Sequence, residues 1–100
     1  MGWDIEIAHN EVNYTHNINP MIREAGIPNW PYEFLDNVGF AKNMIEPLTL
    51  TLDNFSKDPE KYRAMNPKNG WGDFDSLQIT LTAILKLCKE NKYSSVNYSY

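Results

Sequence analysis

The chain has 100 residues, of which 42% are hydrophobic and 13% aromatic, so we expect residues 1–100 to form a single domain with one core. Thirteen acidic against nine basic side chains give a formal net charge of −4, and the two arginines, Arg23 and Arg63, stand far apart. This balance disfavours general nucleic-acid or anionic-membrane binding, and no apolar run has the length of a membrane helix.

Strands are predicted at both ends of the chain. Residues 3–8 alternate apolar and polar side chains, with Trp3, Ile5 and Ile7 on one face. Residues 95–100 alternate in the same way. Residues 12–15 favour either a third strand or an extended lead into a helix, because their side chains are typical of strands.

A first helix is predicted to begin at Asn19, which would cap it, with Pro20 in its first turn, and to stop at Gly26. Residues 27–39 contain two prolines and a glycine, and they predict a loop anchored by aromatic side chains. These side chains would either wall a pocket or cap the helical layer. They are Trp30, Tyr32 and Phe34.

Helical spacing of apolar residues returns between Ala41 and Phe55, where Pro47 is expected to kink the helix or to move its start. A short helix is predicted from Asp58, which would cap it. The clearest helix runs from about residue 73 to residue 91, with acidic residues near its start and lysines near its end. Its predicted buried stripe is Phe74, Leu77, Leu81, Ile84, Leu85 and Cys88.

The order of these elements predicts an α+β fold, with a small two- or three-stranded sheet from both termini covered by about three helices. Edge strands of so small a sheet could pair with a second copy, which suggests a homodimer. Cys88 is the one cysteine, so no internal disulfide can form, and a cytoplasmic location is expected.

The densest polar cluster is residues 9–17, which hold both histidines. One interpretation is a metal or acid–base site made by His9, Glu11 and His16, although their spacing is not that of helical zinc motifs. A second is recognition of a small molecule. A third is a polar turn whose side chains satisfy backbone groups.

A second cluster is the loop before the last helix, where Trp71 stands between Gly70 and Gly72. Trp71 would either stack on a ring such as a nucleobase or lie buried and pin the loop to the core. The amides of the two glycines and of Asp73 could hold a phosphate or carboxylate, but the nearby aspartates would compete for them. Whether this loop meets residues 13–17 is open.

Catalytic signatures are missing from the sequence: there is no local Ser-His-Asp or Cys-His arrangement and no glycine-rich phosphate loop. Asp73 and Asp75 are better explained as favourable charges at a helix start than as a catalytic pair. We therefore expect no catalytic residues, no cofactor and no metal.

Two stretches carry a resemblance to a known family. They are Asn13-Tyr14-Thr15-His16-Asn17, followed by Met21 and Glu24-Ala25-Gly26, and Asp58-Pro59-Glu60, followed by Tyr62, Asn66-Pro67-Lys68-Asn69-Gly70-Trp71-Gly72 and Phe74. Over nearly the whole chain, this pattern resembles a family of short phage and bacterial proteins, most without an assigned activity. That family pairs an Asn-x-Thr-x-Asn segment with an Asn-Gly-Trp-Gly loop.

The resemblance implies a context rather than a chemistry. Small phage proteins often bind components of a host pathway, and several unrelated ones sequester nucleotide-derived immune signals. The first hypothesis is thus a non-catalytic binder of a small nucleotide-like ligand, a phage sponge, and the alternative is a protein-interaction module that inhibits or adapts a host protein. The expected ligand-binding residues are Asn13, Thr15, His16, Asn17, Met21, Arg23, Tyr62, Arg63, Gly70, Trp71 and Gly72.

Overall fold

The structure, a computed structural model, describes residues 2–30 and 40–99, apart from the side chain of His16. Three strands, one 3-10 turn and four α-helices follow one another in these ranges. They are β1 (Gly2–Ile7), β2 (Asn10–Thr15), a 3-10 turn (His16–Ile18), α1 (Asn19–Ala25), α2 (Lys42–Lys57), α3 (Pro59–Arg63), α4 (Phe74–Glu90) and β3 (Val96–Ser99). The predicted α+β fold is confirmed.

The sheet is antiparallel, with β1 in the middle and strand order β2-β1-β3. Trp3 lies opposite Tyr14, and Ile5 lies opposite Val12 on one side and Tyr98 on the other. The apolar side chains of β1 are buried on the face that the helices cover. Residues 12–15 therefore belong to a third strand, which settles the two alternatives that the sequence left open.

Asn19 is a buried acceptor and does not cap α1. It is the first residue of the helix, Ile18 precedes it without a side-chain cap, and the cap prediction is wrong. The Asn19 side-chain oxygen accepts hydrogen bonds from the indole nitrogens of Trp3 at 3.0 Å and Trp30 at 2.9 Å. Because the two indoles need an acceptor in the core, they take the oxygen that a cap would use.

The aromatic loop predicted for residues 27–39 is described only as far as residue 30. Trp30 is fully buried and packs edge-on against Trp3, with ring centroids 5.5 Å apart. It belongs to the core and not to the wall of an open pocket. Tyr32 and Phe34 lie outside the described residues.

Helix α2 begins at Lys42, so Pro47 does not move its start. The helix continues through the proline. Pro47 is its sixth residue and has no N–H, so one backbone hydrogen bond of the helix is missing there. The hydroxyl of Thr51 donates to the carbonyl of Pro47 at 2.9 Å. The buried residues of α2 are Met44, Leu48, Thr51 and Phe55.

Helix α4 confirms the clearest prediction from the sequence. Asp73 caps it by accepting a hydrogen bond from the backbone N–H of Ser76 at 2.8 Å. All of the predicted stripe is buried except Leu85, which is half-buried. Helices α2 and α4 are antiparallel, since Phe55 packs against Phe74 at one end and the Lys42 N–H donates to the Lys92 carbonyl at the other.

Within the described residues, no helix is long and apolar enough to cross a membrane.

Burial raises the pKa of the Cys88 thiol from 9.0 to about 11. In the unfolded chain the thiol ionises first, so its contribution to stability is complete below pH 9 and is lost as the pH rises towards 11. Between pH 8 and pH 10, we expect the free energy of unfolding to fall by about 1 kcal/mol more in the native chain than in Cys88→Ala. Urea denaturation with a reducing agent measures both chains, and parallel pH curves would contradict the expectation.

Candidate functional site

The two polar segments singled out in the sequence meet in the structure. The backbone N–H of Asp73 donates to the Tyr14 hydroxyl at 3.1 Å, and the hydroxyl in turn donates to the Asp73 carbonyl at 3.3 Å. A Cβ added at Gly72 would lie 2.6 Å from the Thr15 methyl carbon and 2.9 Å from Cγ2 of Ile18. The backbone of Gly72 thus packs directly on the end of β2, and the two segments form one continuous surface.

The loop that carries Trp71 is held by its own asparagines. Asn66 accepts a hydrogen bond from the backbone N–H of Phe74 at 2.8 Å, and Asn69 accepts one from the N–H of Trp71 at 3.0 Å. Gly70 turns the chain with a φ of 76° and Gly72 with a φ of 89°. These bonds fix the backbone on both sides of the tryptophan.

Trp71 itself is exposed, with 59% of its surface open to solvent. The interpretation of Trp71 as a buried pin is therefore wrong, because Gly72 and Tyr14 attach the loop to the body of the protein in its place. A fixed loop presents a large flat apolar side chain, which is the arrangement needed for a contact with another molecule.

The backbone amides expected to hold an anion are engaged within the protein at two positions. The N–H of Gly70 donates to the Pro67 carbonyl at 3.3 Å, and that of Asp73 donates to Tyr14. The Asp73 carboxylate adds a negative charge at the same helix start. A phosphate would have to displace these bonds, so the geometry argues against an anion held by this helix end.

Arg63 lies beside this loop, but its charge is balanced by carboxylates. Its guanidinium donates to Asp75 at 3.0 Å and to Glu60, and it stands over the ring of Phe74. The hydrogen bond to Asp75 and then that to Glu60 raise the pKa of Arg63. Arg23 is committed elsewhere, since its Nε donates to the Trp30 carbonyl at 2.7 Å.

The remaining predicted site residues divide between the core and the surface. Met21 is fully buried, and Tyr62 is 4% exposed and stacks on Phe74, so neither walls an open site. Asn13 and Asn17 are exposed, and the backbone N–H of Asn17 donates to the Thr15 hydroxyl at 3.4 Å. The side chain of His16 lies outside what the structure describes.

The two histidines do not share a site. His9 occupies the hairpin turn before β2, with a φ of 66°, and His16 follows the other end of that strand. At about 3.3 Å per residue, this separates them by roughly 20 Å along the strand. In the described part of the chain, no three His, Cys, Asp or Glu side chains are grouped to hold a metal ion.

Three open clefts are lined by described residues, and none of the three includes Trp71. One of about 600 Å³ lies between Gly26 and the exposed side of α2, around Leu50. The other two, of about 470 and 290 Å³, lie along the exposed side of α4. Comparison of the chain with protein-family models, curated proteins and solved structures finds no match.

Reasoning from the sequence missed the residues that hold the site together. Tyr14 was quoted within a motif but given no role, and Asn66 and Asn69 were used only as residue types that favour a loop or a turn. Tyr14 alternates with the polar residues of its strand, which indicates a side chain on the covered face. Nothing local in the sequence shows that its hydroxyl reaches Asp73, 59 positions away.

Proposed function

We propose that the chain is a non-catalytic binding protein that presents Trp71 to a protein partner. One observation carries the proposal: an exposed tryptophan stands on a loop whose backbone is hydrogen-bonded on both sides. Tryptophan is enriched among the residues that dominate binding energy at protein interfaces, and a loop already fixed loses little entropy on binding. This is the protein-interaction alternative raised by the sequence.

The charges around Trp71 indicate the character of the partner. Asp73 follows it at the start of α4, whereas Asp75 is paired with Arg63, and the whole chain carries a net charge of −4. Both features favour a partner whose surface is basic around an apolar contact, since complementary potentials speed association and exclude other partners.

A small nucleotide-like ligand is the second candidate function. The exposed indole gives a ring a surface on which to stack, and Lys68, three residues earlier in the same loop, is an exposed cation. In the phage context that the resemblance implies, such a protein would sequester a nucleotide-derived signal. The engaged amides and the balanced charge of Arg63 favour the protein partner over this candidate.

Replacing Trp71 by Ala should abolish capture of the partner without unfolding the protein. Loss of a dominant interface side chain costs about 2 kcal/mol or more, which is about a 30-fold loss of affinity. The tagged native chain and its variants are incubated with a bacterial cell extract. We expect a stoichiometric partner on the native chain and on Tyr93→Ala, and none on Trp71→Ala.

Tyr93 is the matched control because it is 75% exposed and lies outside the Trp71 loop. Equal capture by Trp71→Ala, or no stoichiometric partner on any chain, would overturn the protein-partner proposal. The same three chains, titrated with cyclic dinucleotides and ADP-ribose while tryptophan emission is recorded, address the second candidate. A dissociation constant above about 100 μM, or no binding at all, would exclude the nucleotide-like ligand, because sequestration needs tight binding.

Two further expectations remain part of this proposal. The cytoplasm, that of a bacterial host if the chain is phage-encoded, is the compartment that suits a single, fully buried thiol. A homodimer is the proposed assembly. Within the described sheet, β2 pairs only with β1, which leaves an edge where a second copy could add.

A further inference from the structure

Asn69 is the one asparagine of the chain's twelve that precedes a glycine, and it lies in the loop that presents Trp71. Asn69, Gly70 and Trp71 are all exposed. A Cβ built at Gly70 would meet nothing within 4 Å, so the space beside this residue is open to solvent. Water therefore reaches both the Asn69 carboxamide and the peptide bond that follows it.

The side chain of Asn69 is folded back over that peptide bond. Its Oδ1 accepts a hydrogen bond from the backbone N–H of Trp71 at 3.0 Å, which closes an Asx turn. An Asx turn copies the path of a backbone turn, so the carboxamide carbon Cγ of Asn69 lies roughly 3.5 Å from the backbone nitrogen of Gly70. Atoms at this separation are placed to react with one another.

We propose that Asn69 is a site of spontaneous deamidation, through attack by the Gly70 nitrogen. The nitrogen loses its proton to hydroxide and forms a bond to Cγ of Asn69. The Cγ–Nδ2 bond breaks, and Nδ2 takes a proton from water and leaves as ammonia, so that a five-membered imide remains. Water then adds to one of the two imide carbonyls and opens the ring to aspartate or isoaspartate. No atom is oxidised or reduced, and water is the one co-reactant.

Three features of the loop favour this reaction. Glycine at position 70 has no side chain to screen the attacking nitrogen. The N–H of Gly70 is held only by the Pro67 carbonyl at 3.3 Å, a long hydrogen bond that is easily given up. The Trp71 N–H points at Oδ1 of Asn69, where negative charge develops during the attack, and stabilises that charge.

The isoaspartate product would undo the turn that holds Trp71. Its main chain runs through Cγ, so the backbone before Gly70 becomes one carbon longer and the Asn69 acceptor is displaced. The loop then keeps its attachment through Asp73 and Tyr14 and loses the one through Asn69. A less fixed Trp71 loses more entropy on binding. This consequence rests on the proposed role of Trp71, whereas the chemical step does not.

Peptide mass spectrometry of the native chain, kept at about pH 8 and 37 °C, tests the chemical step. We expect residue 69 to gain about 1 Da while the other asparagines keep their mass. Gly70→Ala places a Cβ beside the attacking nitrogen and should react at least about 10-fold more slowly. In guanidinium chloride the turn is lost, and we expect the folded chain to react at least as fast as this unfolded chain. An unmodified Asn69, equal rates in Gly70→Ala, or a slower reaction in the folded chain overturns the proposal.

A second measurement tests the consequence for the Trp71 loop. We expect about 10-fold weaker capture of the partner by the fully modified chain than by the fresh chain, and no loss on ageing in Gly70→Ala relative to its own fresh sample. The Trp71 N–H should also exchange faster with solvent in the modified chain, a readout that needs no partner. Unchanged exchange overturns the release of the turn. Faster exchange without capture by any chain leaves the deamidation site standing and overturns the proposed partner.

Discussion

Gly72→Ala should lower the free energy of unfolding by about 3 kcal/mol, a large part of the stability of a domain of this size. Gly72 has a φ of 89°, which costs a residue with a Cβ about 1 kcal/mol. Its Cβ would also lie 2.6 Å from the Thr15 methyl carbon and 2.9 Å from Ile18 Cγ2, and overpacking of this kind costs about 2 kcal/mol. Urea denaturation measures the change.

Gly70 provides a control two residues away. It has a φ of 76°, and a Cβ there would meet nothing within 4 Å. Gly70→Ala should therefore lose only the backbone contribution, about 1 kcal/mol. Equal losses at the two glycines would contradict the close packing of Gly72 on β2.

Removing the Thr15 methyl should relieve part of the strain at Gly72. Thr15→Ser keeps the hydroxyl that accepts from Asn17 and deletes the carbon that is nearest to the added Cβ. Gly72→Ala should thus lower the free energy of unfolding by about 1 kcal/mol less in the Thr15→Ser background than in the native chain. Substitutions of residues in contact are not additive. If the stability losses of the two substitutions simply add, the loss at Gly72→Ala does not come from contact with the Thr15 methyl group.

Asn19→Leu should lower the free energy of unfolding by about 4 kcal/mol. Leucine has a similar volume but leaves the indole nitrogens of Trp3 and Trp30 without the acceptor that both now share. An unsatisfied donor in a core costs about 1–3 kcal/mol, and here there are two. Urea denaturation followed by near-ultraviolet circular dichroism, which reports the packing of buried tryptophans, measures the loss.

A second background separates the lost hydrogen bonds from altered packing. In Trp3→Phe only the Trp30 indole still donates to Asn19, so Asn19→Leu should cost about 2 kcal/mol there instead of about 4. Asn17→Leu, an exposed position nearby, should change stability by no more than about 0.5 kcal/mol. An unchanged penalty in Trp3→Phe would assign the loss to packing alone.

Patterns within a few residues predicted the strands and the last helix. The alternation at Trp3, Ile5 and Ile7 and the acidic residues at the start of the last helix depend on neighbours in the chain, and both are confirmed. Asn19 was misjudged because asparagine before proline is an ordinary cap. Its oxygen is taken by indoles 16 and 11 residues away, and no local pattern records such partners.

The candidate site shows the same division between local and distant information. The loop around Trp71 was predicted from its glycines and asparagines. The same local sequence, however, is compatible with either a buried or an exposed Trp71 side chain. The outcome depends on Gly72 fitting against Thr15 and on Tyr14 holding Asp73. Both contacts join positions more than fifty residues apart, so they follow from the fold and not from spacing.

The central position of β1 constrains when this protein can fold during its synthesis. β1 is made first among the strands, yet it is flanked on one side by β3, the last to be made. The hairpin of β1 and β2 can form early because its pairing is local. Trp3 and Ile5, however, stay uncovered on the β3 side until residues 96–99 have left the ribosome. Until β3 pairs with β1, this side of the central strand is open to chaperones and to aggregation.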